Sequence, residues 1–130
     1  MWLPSQVFEK LVFLGGAEVL QMLNDFNCFY ITLKLIESGL FAYYRAEKEC
    51  LVIYGFIDEW NGKIDESLYK ELLQCKKSGR YAFVLWVAGN IDFELMRLFV
   101  NRNLKTCEKM VFYRHKYNRC SEINLRRFKK

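Results

Sequence analysis

The stretch from Arg80 to Leu104, RYAFVLWVAGNIDFELMRLFVNRNL, decides how the rest of the chain is read. Tyr81 to Ala88 is an unbroken apolar and aromatic run, far too short to span a membrane and rich in strand-forming residues. Neither alternating set, Tyr81, Phe83, Leu85 and Val87 or Ala82, Val84, Trp86 and Ala88, is polar. The run is therefore expected as an interior strand whose two faces are both covered by helices. Gly89 and Asn90 end it. The period then changes, and Ile91, Leu95, Leu98 and Phe99 share one face of a helix over Asn90 to Leu104. Asn90 is suited to cap its first turn, Asp92 to its positive end, and Asn103 to a left-handed stop. A buried strand feeding a helix is α/β architecture.

Upstream, Pro4 opens a helix that carries Val7, Phe8, Leu11 and Val12 on one side, and Gly15-Gly16 ends it. A short second helix follows from Ala17 to Leu23. Phe26 to Ile36 (FNCFYITLKLI) is β-branched and aromatic and reads as a strand, turning at Glu37-Ser38-Gly39 into another from Leu40 to Arg45. Ala46 to Glu49 is a second turn, and Cys50 to Ile57 completes a three-stranded antiparallel meander. Asp58 to Lys63 is a loop, and the next helix places Leu68, Leu72 and Cys75 on one face before Ser78-Gly79 stops it. Downstream of the central strand and its helix, Glu108 to Tyr117 alternates as a strand, Asn118 to Cys120 turns the chain, and Ser121 to Phe128 closes a hairpin. The expected order is ααβββαβαββ: one α/β domain over residues 1–130, with a mixed sheet flanked by helices.

At 130 residues, such a domain buries enough surface to need no staple. A hydrophobic fraction of 52% with a single Pro excludes a disordered or low-complexity chain. Every longer apolar stretch is interrupted by charge, so neither a membrane span nor a secretory signal is expected, and the cytoplasm is the default compartment. Cys28, Cys50, Cys75, Cys107 and Cys120 are odd in number and form no C-x-x-C pair, which reads as reduced thiols acting as small apolar residues. The single histidine leaves only Cys107, His115 and Cys120 as a zinc set, at a spacing that matches no standard pattern, and no metal is expected. The net charge of +5 is concentrated at the end of the chain, where Arg114, Lys116, Arg119, Arg126, Arg127, Lys129 and Lys130 face one acid, Glu122.

Two helices, a meander, a helix, a buried strand, a helix and a closing hairpin resemble the GNAT acyltransferase superfamily without its usual first strand. Cys50 to Ile57 resembles the family's fourth strand, Tyr81 to Ala88 the fifth, and Asn90 to Leu104 the helix that follows. LWVAGN followed by MRLFVNRNL is similar to the family's strand, Asn and helix. The chain also resembles the small GNAT-like proteins of bacteriophages and, through its helical start and SGRYAFVLWVA, the toxin-activating lysine acyltransferases. The resemblance implies that two parallel neighbours, the strands ending at Ile57 and Ala88, part to hold the pantetheine arm of acetyl-CoA or another acyl-CoA. Asn90 then lies near the thioester, and the pyrophosphate rests on a helix N-terminus. The family's Gly-rich basic loop falls between Ile57 and Leu68. Gly62 and Lys63 suit a phosphate there, while Asp58, Glu59, Asp65 and Glu66 oppose it. The helix after the fifth strand carries Phe99 where the family often has a tyrosine acid, Glu59 is a candidate base, and His115 reads as a surface or partly packed strand residue.

Three functions follow as expectations. The first is acyl transfer from acyl-CoA to an amine, with Ile57, Gly62, Lys63 and Asn90 binding the cofactor. The second is a non-catalytic accessory or virion-associated protein that binds another protein, with Trp2 and Trp60 as anchors. The third is nucleic-acid binding through Arg126, Arg127 and Lys129, where Tyr113, Tyr117 and Phe128 interleave with cations as a stacking groove requires.

Overall fold

Tyr81–Gly89 is the middle strand of a five-stranded sheet in the computed structural model, which describes residues 2–45, 47 and 49–129. In chain order the elements are α1 (Pro4–Gly15), α2 (Ala17–Met22), α3 (Phe26–Glu37), β1 (Phe41–Arg45), β2 (Glu49–Ile57), α4 (Glu66–Leu72), β3 (Tyr81–Gly89), α5 (Phe93–Asn103), β4 (Lys109–Arg114) and β5 (Arg119–Asn124). Short 3-10 turns follow β4, at His115–Tyr117, and β5, at Leu125–Arg127. The strands lie side by side in the order β1-β2-β3-β4-β5. All neighbours are antiparallel except β3 and β4, which α5 connects and which run parallel.

Both faces of the sheet are covered, as an all-apolar β3 demands. A side chain at Gly55 would meet Leu35 and Leu72, which places α3 and α4 on one face. Tyr54, on the opposite face, meets Phe99 of α5 edge-on at 5.1 Å and donates from its hydroxyl to Asn103 Oδ1 at 3.2 Å. β2 is buried from Cys50 to Ile57 and β3 nearly so, giving one continuous core with Val7, Leu11, Leu35, Leu72, Phe99 and Met110. Beside the sheet, α1 is pinned to the β1–β2 hairpin: Lys10 pairs with Glu49 at 2.8 Å, the Tyr43 hydroxyl donates to the same carboxylate, and Trp2 lies 4.6 Å from the Tyr43 ring.

Several expectations are corrected. Phe26 to Ile36 is a helix, not a strand, so the order is αααββαβαββ and the meander consists of β1, β2 and β3. Its buried residues, Ile31, Thr32, Leu35 and Ile36, have helical spacing, and the Asp25 carboxylate caps it by accepting from Cys28 N at 3.2 Å. Strand propensity loses here to packing against β2 and α1. The strand at Glu108 to Tyr117 stops at Arg114, and the final strand gives way at Leu125 to a 3-10 turn. Asp92, not Asn90, caps α5, accepting from Leu95 N at 2.8 Å. Asn103 stays helical; its amide spans Phe99 O and the Tyr54 hydroxyl. The helix expected through Cys75 ends at Leu72, and Cys75 takes a positive φ of 50°. The turn expected at Ala46 to Glu49 falls partly on residues 46 and 48, outside those described.

The largest correction concerns the parting strands. β2 and β3 are antiparallel and pair from Cys50↔Gly89 to Ile57↔Tyr81, so no gap separates the strands ending at Ile57 and Ala88. Their connection, residues 58–80, carries α4 along one face and returns to the end of the sheet it left, which forces opposite strand directions. Lys76, 2.7 Å from Asp58 and 2.6 Å from Glu71, clips that connection shut. Among the described residues, no helix is long and apolar enough to cross a membrane.

Candidate functional site

Parallel strands do part in this sheet, but between β3 and β4. Their ladder runs from Tyr81↔Lys109 to Val84↔Phe112 and stops. The cause lies on the other edge of β3. Tyr54 pairs with Val84 and Ile53 with Trp86, so Leu85 is an extra residue on β3, a β-bulge that bends the strand and strengthens its local twist. From the bulge onward, β3 turns away from β4, and β4 ends two residues later. The slot this opens measures about 490 Å³. It passes through the sheet: Glu18 of α2 lines it on the α3 side and Met96 of α5 on the other.

His115 sits in the wall of the slot. Its Nε2 lies 2.7 Å from the carbonyl of Leu85, an oxygen that can only accept, so Nε2 carries the proton and a neutral ring presents Nδ1 as an acceptor. Burial lowers the imidazole pKa from its ordinary value, and the Leu85 carbonyl with the Glu18 and Asp25 charges offset this only in part. The ring is neutral at pH 7. It stacks on Trp86, centroids 3.6 Å apart and planes 10° from parallel, and Tyr113 stands tilted at 4.3 Å. Trp86 is itself fixed: its Nε1 donates at 3.0 Å to Thr32 Oγ1, which donates in turn to Cys28 O at 2.7 Å. Thr32, the one fully buried polar side chain among the described residues, thus joins α3 to the slot.

The rim is basic and aromatic. Arg114, Lys116 and Tyr117 line it, and Lys116 and Arg119 lie over the exposed Tyr117 ring at 5.6 and 5.3 Å. None of these cations joins an ion pair among the described residues, whereas Lys109 and Arg80 pair with Glu122 and Glu108. The thiols of Cys28, Cys50, Cys107 and Cys120 are no nucleophiles here, since burial pushes Cys28 up to about 12 and Cys50, Cys107 and Cys120 up to about 11.

The four expected cofactor residues are not brought together. Ile57 is buried at the Tyr81 end of the ladder, and Asn90 follows Gly89 at the other, about 26 Å away along β3 at strand rise. Gly62 and Lys63 lie at the Ile57 end, with Glu59, Asp65 and Glu71 around a hollow of about 250 Å³. Asp65 caps α4 by accepting from Leu68 N, and its carboxyl is held below the usual range by that bond, so an anion there meets fixed negative charge. None of the four lines the slot; Asn90 comes nearest along the chain, one residue before the lining residue Ile91, with its backbone N–H donating to Glu49 O. Trp2 and Trp60 are half-buried, against Tyr43 and Phe83. In the basic segment, Phe128 is buried, Arg127 lies over its ring, and Lys129 donates to the Lys105 and Cys107 carbonyls; Lys130 lies outside the described residues. No group of His, Cys, Asp or Glu suited to a metal occurs among the described residues; Cys107 donates its thiol to Gly79 O, away from His115.

The sequence held no signal for the bulge, because both sides of β3 are apolar, so Trp86, His115 and Thr32 were missed as a group. The one legible hint was that a buried indole N–H requires an acceptor. Comparison with protein-family models, with curated proteins and with solved structures finds no match to this chain.

Proposed function

We propose that this chain binds an acyl-CoA in the slot between β3 and β4 and transfers its acyl group to an amine, as a GNAT-like N-acyltransferase of a reducing cytoplasm. The observation that carries the reading is the separation of two parallel strands at the Leu85 bulge, which exposes strand backbone to an extended, amide-bearing arm such as pantetheine. Arg114, whose Nε donates to Ser121 Oγ at 3.1 Å, and Lys116 join no ion pair among the described residues, and at the rim they offer charge-assisted hydrogen bonds to phosphates. The N-terminus of α5 does not, since the Asp92 carboxylate already takes the Leu95 amide and repels an anion. Neutral His115 supplies the base: the amine nitrogen bonds to the thioester carbon, Nδ1 accepts its proton, and the C–S bond breaks to release the CoA thiolate. The five free cysteines suit a reducing compartment.

The experiment is calorimetry with acetyl-CoA and a longer acyl-CoA, paired with mass spectrometry of an amine acceptor. Binding with product formation, lost in His115→Ala with binding retained, is the expected result. A silent titration at millimolar donor removes the reading. A second reading is a non-catalytic binding protein on the same fold; the closed α5 terminus and the acidic 58–66 loop favour it, and it predicts binding without product.

A further inference from the structure

Resting on the acyl-transfer reading of the slot, we infer that Glu18 selects the acceptor, and that the acceptor is a primary amine carrying a second, non-reacting positive charge. The two mouths of the slot differ in charge. On the α3 side, Trp86 is held by Thr32 of α3, His115 stacks on Trp86, and Tyr113 shares a hollow with Cys28, Ile31 and Leu72. Glu18 of α2 lines the slot on this same side. Alternation along β4 then turns Phe112 and Arg114 toward α5, and Arg114 Nε donates at 3.1 Å to Ser121 Oγ, whose residue is the ladder partner of Phe112. An anionic donor therefore finds this guanidinium on the α5 side, while the imidazole and the carboxylate meet whatever enters from the α3 side.

Glu18 is exposed and joins no ion pair among the described residues. The cations of the lining do not answer it: Arg114 is held by Ser121, and Lys116 lies over the Tyr117 ring at 5.6 Å. Its charge does reach the base, since Glu18, with Asp25, works against burial to raise the His115 pKa. An alkyl ammonium titrates near the lysine value of about 10.4, so at neutral pH the acceptor arrives charged and is drawn to Glu18 and to the electron-rich face of Tyr113. The reacting nitrogen must shed that charge. One proton goes to water before attack, and Nδ1 takes a second as the N–C bond forms and the C–S bond breaks to release the CoA thiolate. A carboxylate paired with the reacting ammonium loses its partner on the way to the transition state, so for a monoamine the pair opposes the reaction. A second ammonium keeps its charge throughout, and its pair with Glu18 holds in the transition state as in the ground state. Glu18 beside the base thus favours a diamine or polyamine, or a lysine flanked by further cations, over a simple amine.

The test uses the full chain with cadaverine, a tri-lysine peptide and pentylamine. His115 is the only histidine, so its imidazole signal in NMR reads occupancy of the slot without turnover. The expected result is a saturable shift with cadaverine or tri-lysine at concentrations where pentylamine gives none. With acetyl-CoA present, kcat/KM for the better of the two charged acceptors should exceed that for pentylamine about fivefold, the upper range for an exposed ion pair. Glu18→Gln, verified by circular dichroism, should bring that ratio close to one, and Glu18→Asp should retain part of it. The stronger of cadaverine and tri-lysine names the source of the amine. No shift with either charged acceptor, equal kcat/KM for all three in wild type, or a preference that survives Glu18→Gln overturns the inference while leaving acyl transfer in place. Shifts that require Glu18 in a chain that binds no acetyl-CoA support the carboxylate as a cation site and remove the acyl-transfer reading instead.

Discussion

His115 hydrogen-bonds the carbonyl of Leu85, the residue that the β2 ladder leaves over, at 2.7 Å. A bulge frees a carbonyl at the point where β3 departs from β4, and the chain leaving β4 returns a side chain to satisfy it. The bond stabilises the bend and fixes the ring tautomer. It makes the slot a built feature of the sheet rather than a frayed edge.

Stability should fall as pH drops below the ordinary imidazole value of 6.5. The His115 pKa is lowered in the folded chain, so the unfolded chain takes up the proton first. The contribution is fully present above 6.5 and is lost as pH falls from there through the folded value. Urea midpoints measured between pH 7.5 and 5 should show this loss in wild type and a flatter profile in His115→Gln.

Thr32→Val keeps the shape of the side chain but strips Trp86 Nε1 of its acceptor in a dry site. A cost of about 1–3 kcal/mol is expected from leaving a buried donor unmade, measured by urea unfolding. Thr32→Ser, which keeps the hydroxyl, should retain most of that stability, and its tryptophan emission should match wild type.

Gly89→Ala and Gly62→Ala separate two reasons for glycine. Both positions have positive φ, 91° and 83°. A methyl at Gly62 meets open space, so only the backbone term remains, about 1 kcal/mol. At Gly89 the methyl also collides with the Glu49 carbonyl oxygen across the β2–β3 ladder, and about 3 kcal/mol or more is expected. Melting curves of the two variants decide the order.

Tyr54→Phe should cost about 1 kcal/mol, the net worth of a neutral hydrogen bond, because its hydroxyl donates to Asn103 on α5. Adding it to Asn103→Ala should cost less than the sum of the two single changes, as a double-mutant cycle reads a shared bond.

What the sequence made legible follows from periodicity. The all-apolar β3, the helices on either side of the sheet and the stop of α1 at Gly16 rest on strong local patterns, and each stands in the structure. Phe26 to Ile36 did not, because its β-branched and aromatic composition outweighed a helical spacing that only becomes clear once Asp25 is seen as its cap. Strand direction was the harder loss. The β2–β3 connection holds a helix, as parallel crossovers do, but α4 is only seven residues long and returns on one face. The parting strands were therefore sought one step too early in the sheet, and the site residues at Ile57, Gly62 and Lys63 went with them.

The most direct test of the account is backbone amide exchange with and without saturating acyl-CoA. Protection confined to Leu85–Gly89 on β3 and to residues 113–117 opposite is the result the account predicts. Unchanged exchange at both segments under millimolar donor, or protection at residues 58–66 instead, would contradict it.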